Sequence, residues 1–428
     1  MLKRIIQPSA LLVTFIIGLE MALSRPQREH ILRTADAIIV CEERKSLTAL
    51  YRQWVEAPDV SAVADSFREG PWRGETVRQD VESFALTELL GRGAAEGAQP
   101  IVFGSIDDTV ARKDKDTKRL EAVDWVHDHA GSGKGQTAFC KAAVHVSLRV
   151  AIGSLGYTFS FRLYLREKTV RRLNRKRVKG DRLRFKSKYK LAREMLEALR
   201  AQLPAGYQVY VLFDRWYASG KLIKFIRKQG WHVICAIKSN RKLNGTRVDV
   251  WHQRLRHRRY TRARMTAADG TPRTYLVRTV QGRLTDVPEE VCVIISKRHP
   301  RDKRPKYFMC TDLSLSAQTV LTWYGSRWPL EVDYWYLKQV LGLGDFRMHA
   351  LEAIEKWYAV VHLVLTFLQW RLHEARARGH PLHSVADVIR LHRAEHAQAL
   401  LTAACQEAIR CGDIEPVLAR FIDIPLAA

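Results

Sequence analysis

Three carboxylates, one of Asp107 and Asp108 together with Asp214 and Glu331, fall where a folded chain can gather distant acids. The apolar run Ile101–Ile106 leads straight into Asp107-Asp108-Thr109, and a second run, Tyr207–Phe213, ends on Asp214. Glu331 sits in the mixed-charge stretch Tyr324-Gly-Ser-Arg-Trp-Pro-Leu-Glu-Val-Asp-Tyr-Trp-Tyr-Leu-Lys338. Carboxylates gathered in one place repel and raise each other's pKa values unless a cation neutralises them. Magnesium is the expected cation, because it takes oxygen ligands and keeps positions open for water and phosphate. Two such ions about 4 Å apart can activate an attacking water or 3′-hydroxyl and stabilise a leaving oxygen in an in-line phosphoryl displacement.

The elements that must hold these groups follow from local signals. Both apolar runs read as strands. Consecutive strand side chains face opposite ways, so only one of Asp107 and Asp108 can reach a shared metal. Pro329 suits the first turn of a helix, where a missing N–H costs nothing, and predicts a helix over about 329–341. Glu331 and Lys338 are then about two turns apart on one face. Tyr324 and Arg327 come just before the proline, on the preceding turn or on a short helix starting near Ser316.

Composition narrows the partners. The 428-residue chain carries 71 Lys and Arg against 45 Asp and Glu, a formal charge of +26. Such an excess attracts polyanions, with nucleic acid first and an anionic membrane surface second. Seven cysteines without a C-x-x-C pair indicate reduced thiols of a cytosolic protein rather than disulfides or a zinc site. Lys3 and Arg4 before the apolar run Leu11–Leu19 outline a signal peptide. The odd cysteine count, the positive charge and Glu20 oppose that reading, and the run is well short of the roughly 20 residues of a bilayer span. A buried helix is expected instead.

Residues 1–95 read as a helical domain that could contact DNA, with helices over 28–51, 59–67 and 76–90 and a loop over 91–100. Strands follow over 101–106, 138–152 and 157–165, the three forming an antiparallel meander. From Arg166 to Lys190, thirteen basic residues face two acids, a surface suited to phosphates. A helix over 189–203, the strand ending on Asp214, a helix over 219–229 and a strand over 231–237 complete a core of residues 96–237 and 316–375. Residues 238–315 read as a β-rich insertion with strands over 274–280, 291–296 and 307–311. A helix over 352–375 and a helical C-terminal region, 376–428, close the chain. The fold class is α/β, a mixed sheet with helices and helical ends.

These residues resemble a known family. Tyr324, Arg327, Glu331 and Lys338 match, at every spacing, the Y-x2-R-x3-E-x6-K signature of cut-and-paste bacterial insertion-sequence transposases of the DDE type. Ser105-Ile-Asp-Asp-Thr109 is similar to the first-aspartate motif of the D-D-T subgroup, and Leu212-Phe-Asp214-Arg-Trp-Tyr resembles the second. The basic stretch into Ala192-Arg-Glu-Met-Leu and Phe67-Arg-Glu-Gly-Pro-Trp72 extend the likeness over most of 60–345. The resemblance implies an RNase H-like fold interrupted by a β insertion before the glutamate. It implies cleavage at element ends and strand transfer into target DNA, commonly through a hairpin intermediate. Asp107, which a D-x-T reading favours over Asp108, would join Asp214 and Glu331 in holding two magnesium ions, replaceable by manganese. Arg327 and Lys338 would contact end phosphates with Tyr324 beside them, and Tyr307 would stack on a flipped base. The implied partners are double-stranded DNA, as inverted-repeat ends and as target, and a second copy in the synaptic complex. The implied setting is the bacterial cytoplasm and nucleoid, with no membrane.

Two other patterns carry less. Ala130-Gly-Ser-Gly-Lys-Gly-Gln-Thr137 lacks the G-x-x-x-x-G-K-[ST] spacing of a phosphate loop and reads as a flexible loop. His127-Asp-His129 has no companion cluster for a metal. Two rival functions share the motifs: an inactive DNA-binding regulator descended from a transposase, and a structure-specific nuclease that cuts without joining.

Overall fold

The computed structural model describes residues 2–57, 59–95, 101–128, 138–266 and 271–422. The 130–137 stretch, His129 and residues 96–100 of the expected loop lie outside them. The chain opens with helices α1 (Ala10–Gly18), α2 (Arg25–Val40), α3 (Leu47–Tyr51), α4 (Val60–Arg68) and α5 (Gly74–Ala95). Leu12, Phe15 and Ile16 of α1 are buried, and the Phe15 ring lies 5.0 Å from Phe84 and 5.4 Å from Phe367. The N-terminal apolar run is therefore a core helix. Ser24 starts α2 with a reciprocal capping box to Gln27. The single helix expected over 28–51 is two. Cys41 turns extended, Lys45 gives its backbone N–H to Asp345 Oδ2 at 2.9 Å, and Ser46 caps a new helix.

Strands β1 (Ile101–Arg112), β2 (Asp124–His127), β3 (Phe139–Ile152) and β4 (Leu155–Tyr164) come next, then α6 (Glu167–Asn174) and α7 (Lys188–Gln202). They are followed by β5 (Gln208–Phe213), α8 (Gly220–Lys228) and β6 (His232–Ala236). The first strand, expected to end before the aspartates, runs on to Arg112 because β3 pairs with it from Val102 through Arg112. The segment after β6 holds β7 (Lys242–Leu243), β8 (Thr246–Arg247), α9 (Val248–Arg254), β9 (Thr261–Thr266), β10 (Pro272–Arg283), β11 (Glu290–Lys297) and β12 (Lys306–Cys310). Helices α10 (Ala317–Gly325), α11 (Trp328–Trp335), α12 (Leu351–Ala377), α13 (Val385–Cys411) and α14 (Glu415–Phe421) finish the chain.

Strand order in the main sheet is β2-β3-β1-β5-β6-β12-β11-β10-β9, with β4 lying along β3. Within it, β4-β3-β1 is an antiparallel meander, and β5 and β6 continue parallel to β1. That arrangement is the RNase H-like core. The later strands extend the same sheet, since β12 pairs antiparallel with β6 through Phe308 and Ala236.

Alternation along the central strands separates two faces. Val102, Ile106, Val209, Val211 and Phe213 pack with Leu191 and Met195 of α7 and Leu222 and Ile223 of α8. Phe103, Tyr210, Leu212 and Ile234 pack on the other face with Val320 and Leu321 of α10. A further core joins the N-terminal helices to α11 and to α12, most of whose side chains are buried. Among the described residues no helix is long and apolar enough to cross a membrane. All seven cysteines are free, four of them buried.

Candidate active site

The parallel ladder between β1 and β5 ends at the pair Ile106 and Phe213. Asp107 and Asp214 are the next residues along each chain segment, so the two acids stand side by side where the β1–β5 ladder ends. Asp214 does not continue a strand; its Oδ1 instead accepts the backbone N–H groups of Trp216 (2.8 Å) and Tyr217 (3.4 Å). Burial raises its pKa, and those two donors oppose the rise.

Asp107 and Asp108 separate by face. Asp107 turns to the α10–α11 side, where Arg327 Nη1 donates to its Oδ2 at 2.6 Å. Asp108 turns to the α7–α8 side, where Lys188 Nζ (2.5 Å) and the Tyr217 hydroxyl (2.9 Å) donate to it. Sequence reasoning did not single out either partner of Asp108. Lys188 was one of thirteen basic residues in its run, and Tyr217 one residue of a motif read only for its aspartate.

Arg327 also reaches Glu331 Oε1 through Nη2 at 2.8 Å, so one guanidinium spans the first and last acids. Burial pushes the Asp107 carboxyl up to about 7, against the pull of Arg327 and the Asp108 N–H. Burial opposes the charge on Arg327 as well, but the Asp107 carboxylate and its other neighbours outweigh it and raise its pKa. Pro329 sits in the first turn of α11, as its ring requires. The helix predicted over 329–341 is α-helical only to Trp335, and Tyr336–Val340 form a π-helical turn. That wider turn carries Lys338 to β1, where its Nζ lies 3.0 Å from Thr109 Oγ1. Burial lowers the Lys338 pKa, partly offset by Glu331.

Two clefts flank this centre. One, of about 1170 Å³, is lined by Asp214, Trp216, Tyr324 and Arg327 and rimmed by Lys238, Lys303, Arg304 and Lys306. Tyr324 packs edge-on against Phe308 at 4.9 Å, and burial pushes its hydroxyl up to about 12. Tyr307 belongs to the same wall but is only 8% exposed, near the start of β12. The other cleft, of about 670 Å³, is lined by Asp108, Thr109, Arg112, Lys113, Glu331 and Lys338.

The donor set fits a hard divalent cation, since all three acids offer oxygens. Asp107 and Asp214 are neighbours, and Arg327 marks a point where positive charge lies within hydrogen-bond reach of both Asp107 and Glu331. A buried Asp107 with a raised pKa is the kind of carboxyl that a nearby cation holds ionised. A different trio, Asp36, His392 and His396, has its ligand atoms within 4.8 Å of one another. There the tautomer argues against a metal. Arg371 Nη1 lies 3.2 Å from His392 Nδ1, and because arginine only donates, the proton of His392 resides on Nε2, 2.6 Å from Asp36 Oδ1. The trio is a hydrogen-bonded staple between α2 and α13.

The profile of a family described as DDE superfamily endonuclease matches residues 19–286, more than half of the chain. The chain belongs to the DDE superfamily endonucleases. Enzymes of this superfamily act on DNA by phosphoryl transfer and use divalent metal. The matched region of this DDE endonuclease contains Asp107 and Asp214, and Glu331 lies beyond it. Among solved structures it is similar to a piggyBac transposase in a synaptic complex with hairpin DNA, with 12% identity and a TM-score of 0.43. That alignment covers 97% of this chain and 83% of the other. No curated protein shows significant similarity to it.

Proposed function

We propose that this DDE endonuclease is an insertion-sequence transposase of the cut-and-paste type, with Asp107, Asp214 and Glu331 as its metal-holding acids. The observation that carries the reading is the bridge from Arg327 to both Asp107 and Glu331, which ties α11 to β1, the strand paired with the one that leads into Asp214. Asp107, Asp214 and Glu331 would hold two magnesium ions, with manganese an adequate substitute. When bound, such ions supply the Lewis acidity that activates a water or 3′-hydroxyl and stabilises a departing oxygen.

The remaining work falls to the chain's own side chains. Arg327 and Lys338, both half-buried beside the acids, are placed to exchange their protein partners for DNA phosphates. Tyr324, fixed against Phe308, supports Arg327 from the preceding helix. Asp108, held by Lys188 and Tyr217 on the opposite face, ties α7 to β1 instead of taking a metal. Tyr307 would meet a displaced base only from the wall of the larger cleft. The basic rim of that cleft and the exposed cations of 171–184 suit duplex DNA, at the element's ends and at the target. A dimer assembled on paired ends is part of the reading, as is a role for the N-terminal helices in holding DNA.

The test is an end-cleavage assay with the full chain, magnesium and DNA carrying the inverted repeats that flank its reading frame. Cut ends followed by joined products support a transposase. Cutting without joining makes the chain a nuclease, and tight binding without cutting makes it a regulator.

A further inference from the structure

We infer that Asp333 and Tyr334 are positioning residues that fix Glu331 relative to Asp107, an inference that rests on the catalytic reading of those two acids. Both lie on α11 within one turn of Glu331, and each ties the helix to a different part of the sheet. The hydroxyl of Tyr334, a residue only 3% exposed, donates to the main-chain carbonyl of Asp107 at 2.7 Å. One residue of the helix is thus bonded to the strand position whose side chain must face Glu331.

Asp333 projects about 200° around the helix from Glu331. Its Oδ2 accepts from Arg149 Nε at 2.9 Å and from Thr158 Oγ1 at 2.8 Å, and its Oδ1 accepts from Gln369 Nε2 at 3.0 Å. Three donors from β3, β4 and α12 therefore satisfy one buried carboxylate. The sheet is shaped for this contact. Arg149 and Thr158 face each other across β3 and β4 beside a register shift at Leu148/Arg149. The Arg149 guanidinium passes over Gly156, where a Cβ would come within 2.3 Å of it. The Gln369 amide closes the network by accepting the Thr158 N–H through Oε1 at 3.3 Å.

An amphipathic helix needs no such network merely to pack. α11 spans eight residues and its Trp328 and Trp335 are exposed, so apolar burial alone holds it weakly. The two polar ties hold it where its apolar face does not. They fix the helix in position and rotation, and so set where the Glu331 carboxylate stands. Outer-shell partners of this kind govern ligand geometry without touching the ion or the substrate.

The test uses the full chain. Tyr334→Phe removes one hydroxyl and leaves the ring packing intact. Its expected result is about a tenfold weaker manganese affinity without DNA, read by calorimetry or by the manganese spin-resonance signal, and about a tenfold lower kcat with unchanged end-DNA affinity. Asp333→Asn should do the same, because its amide N–H meets the Gln369 amide donor. Adding Gln369→Glu to it restores an acceptor opposite that N–H, and should recover most of the manganese affinity. Should Asp333→Asn fail to fold, Tyr334→Phe decides alone. Manganese affinity and kcat within twofold of the parent in a folded Tyr334→Phe protein overturn the inference. The catalytic reading fails separately, if Glu331→Ala itself binds manganese and cuts as the parent does.

Discussion

Arg327 Nη1 lies 2.6 Å from Asp107 Oδ2, an ion pair that closes a gap of 220 positions in the chain. The same guanidinium holds Glu331, so three charges that would otherwise sit unmatched beside the central strands form one unit. Its loss should be felt in both stability and chemistry.

Arg327→Ala leaves Asp107 and Glu331 without their shared cation. The expected cost is about 1–2 kcal/mol of stability, discounted for the 41% exposure of Glu331, and end cleavage should fall at least about 100-fold. Arg327→Lys should not restore the rate, because one ammonium cannot span two carboxylates as a fork does. Recovery of parental cleavage by the lysine variant would show that only the charge matters there. Thermal melts with and without magnesium give the stability arm.

Lys338 is proposed to leave Thr109 for a phosphate. Lys338→Ala should therefore weaken end binding, and the slope of log affinity against log salt should flatten by roughly one unit. An unchanged slope removes Lys338 from the DNA contacts.

Buried histidine makes the fold acid-sensitive. His145 is fully buried between Tyr334, Tyr358 and His362, and burial, with the Lys338 charge adding, pushes its pKa down from 6.5 to about 3. Between those values the unfolded chain binds the proton and the folded chain does not, so stability rises with pH through this window and is lost as pH falls. At pH 5 the contribution of His145 is about 2 kcal/mol of lost stability relative to pH 7. His145→Phe should shrink the difference between urea melts at the two pH values. An equal difference in parent and variant would assign the acid sensitivity to other groups.

Gly156 gives passage to Arg149. Gly156→Ala places a methyl group within 2.3 Å of a guanidinium pinned by Asp333, and should cost about 1–3 kcal/mol in denaturant melts. A neutral result would show that Arg149 can leave Asp333 cheaply.

Much of this architecture is legible in the chain. The runs before Asp107 and Asp214 are apolar at strand length, and Pro329 marks a helix start, so the two strands and the start of the helix fall where expected. Other features depend on contacts that no local pattern encodes. β1 continues past its aspartates because β3, a separate segment of the chain, pairs with it to Arg112. The π-helical turn at Tyr336–Val340 departs from a pattern that reads as uninterrupted helix. The helix in the basic run, α6, buries only Thr169, Val170 and Leu173, too short an apolar face to stand out among its cations. What lies on either side of β1, Arg327 beside Asp107 and Lys188 with Tyr217 beside Asp108, is likewise not written in the local sequence.

The most direct measurement is single-turnover cleavage of end DNA in magnesium by Asp107→Ala, Asp108→Ala, Asp214→Ala and Glu331→Ala, each checked for end binding and folding. The account predicts that the Asp107, Asp214 and Glu331 variants bind DNA but do not cut, while Asp108→Ala, which loses only its ties to Lys188 and Tyr217, still cuts. Parental cleavage by any of the first three, or a silent but well-folded Asp108→Ala, would contradict it.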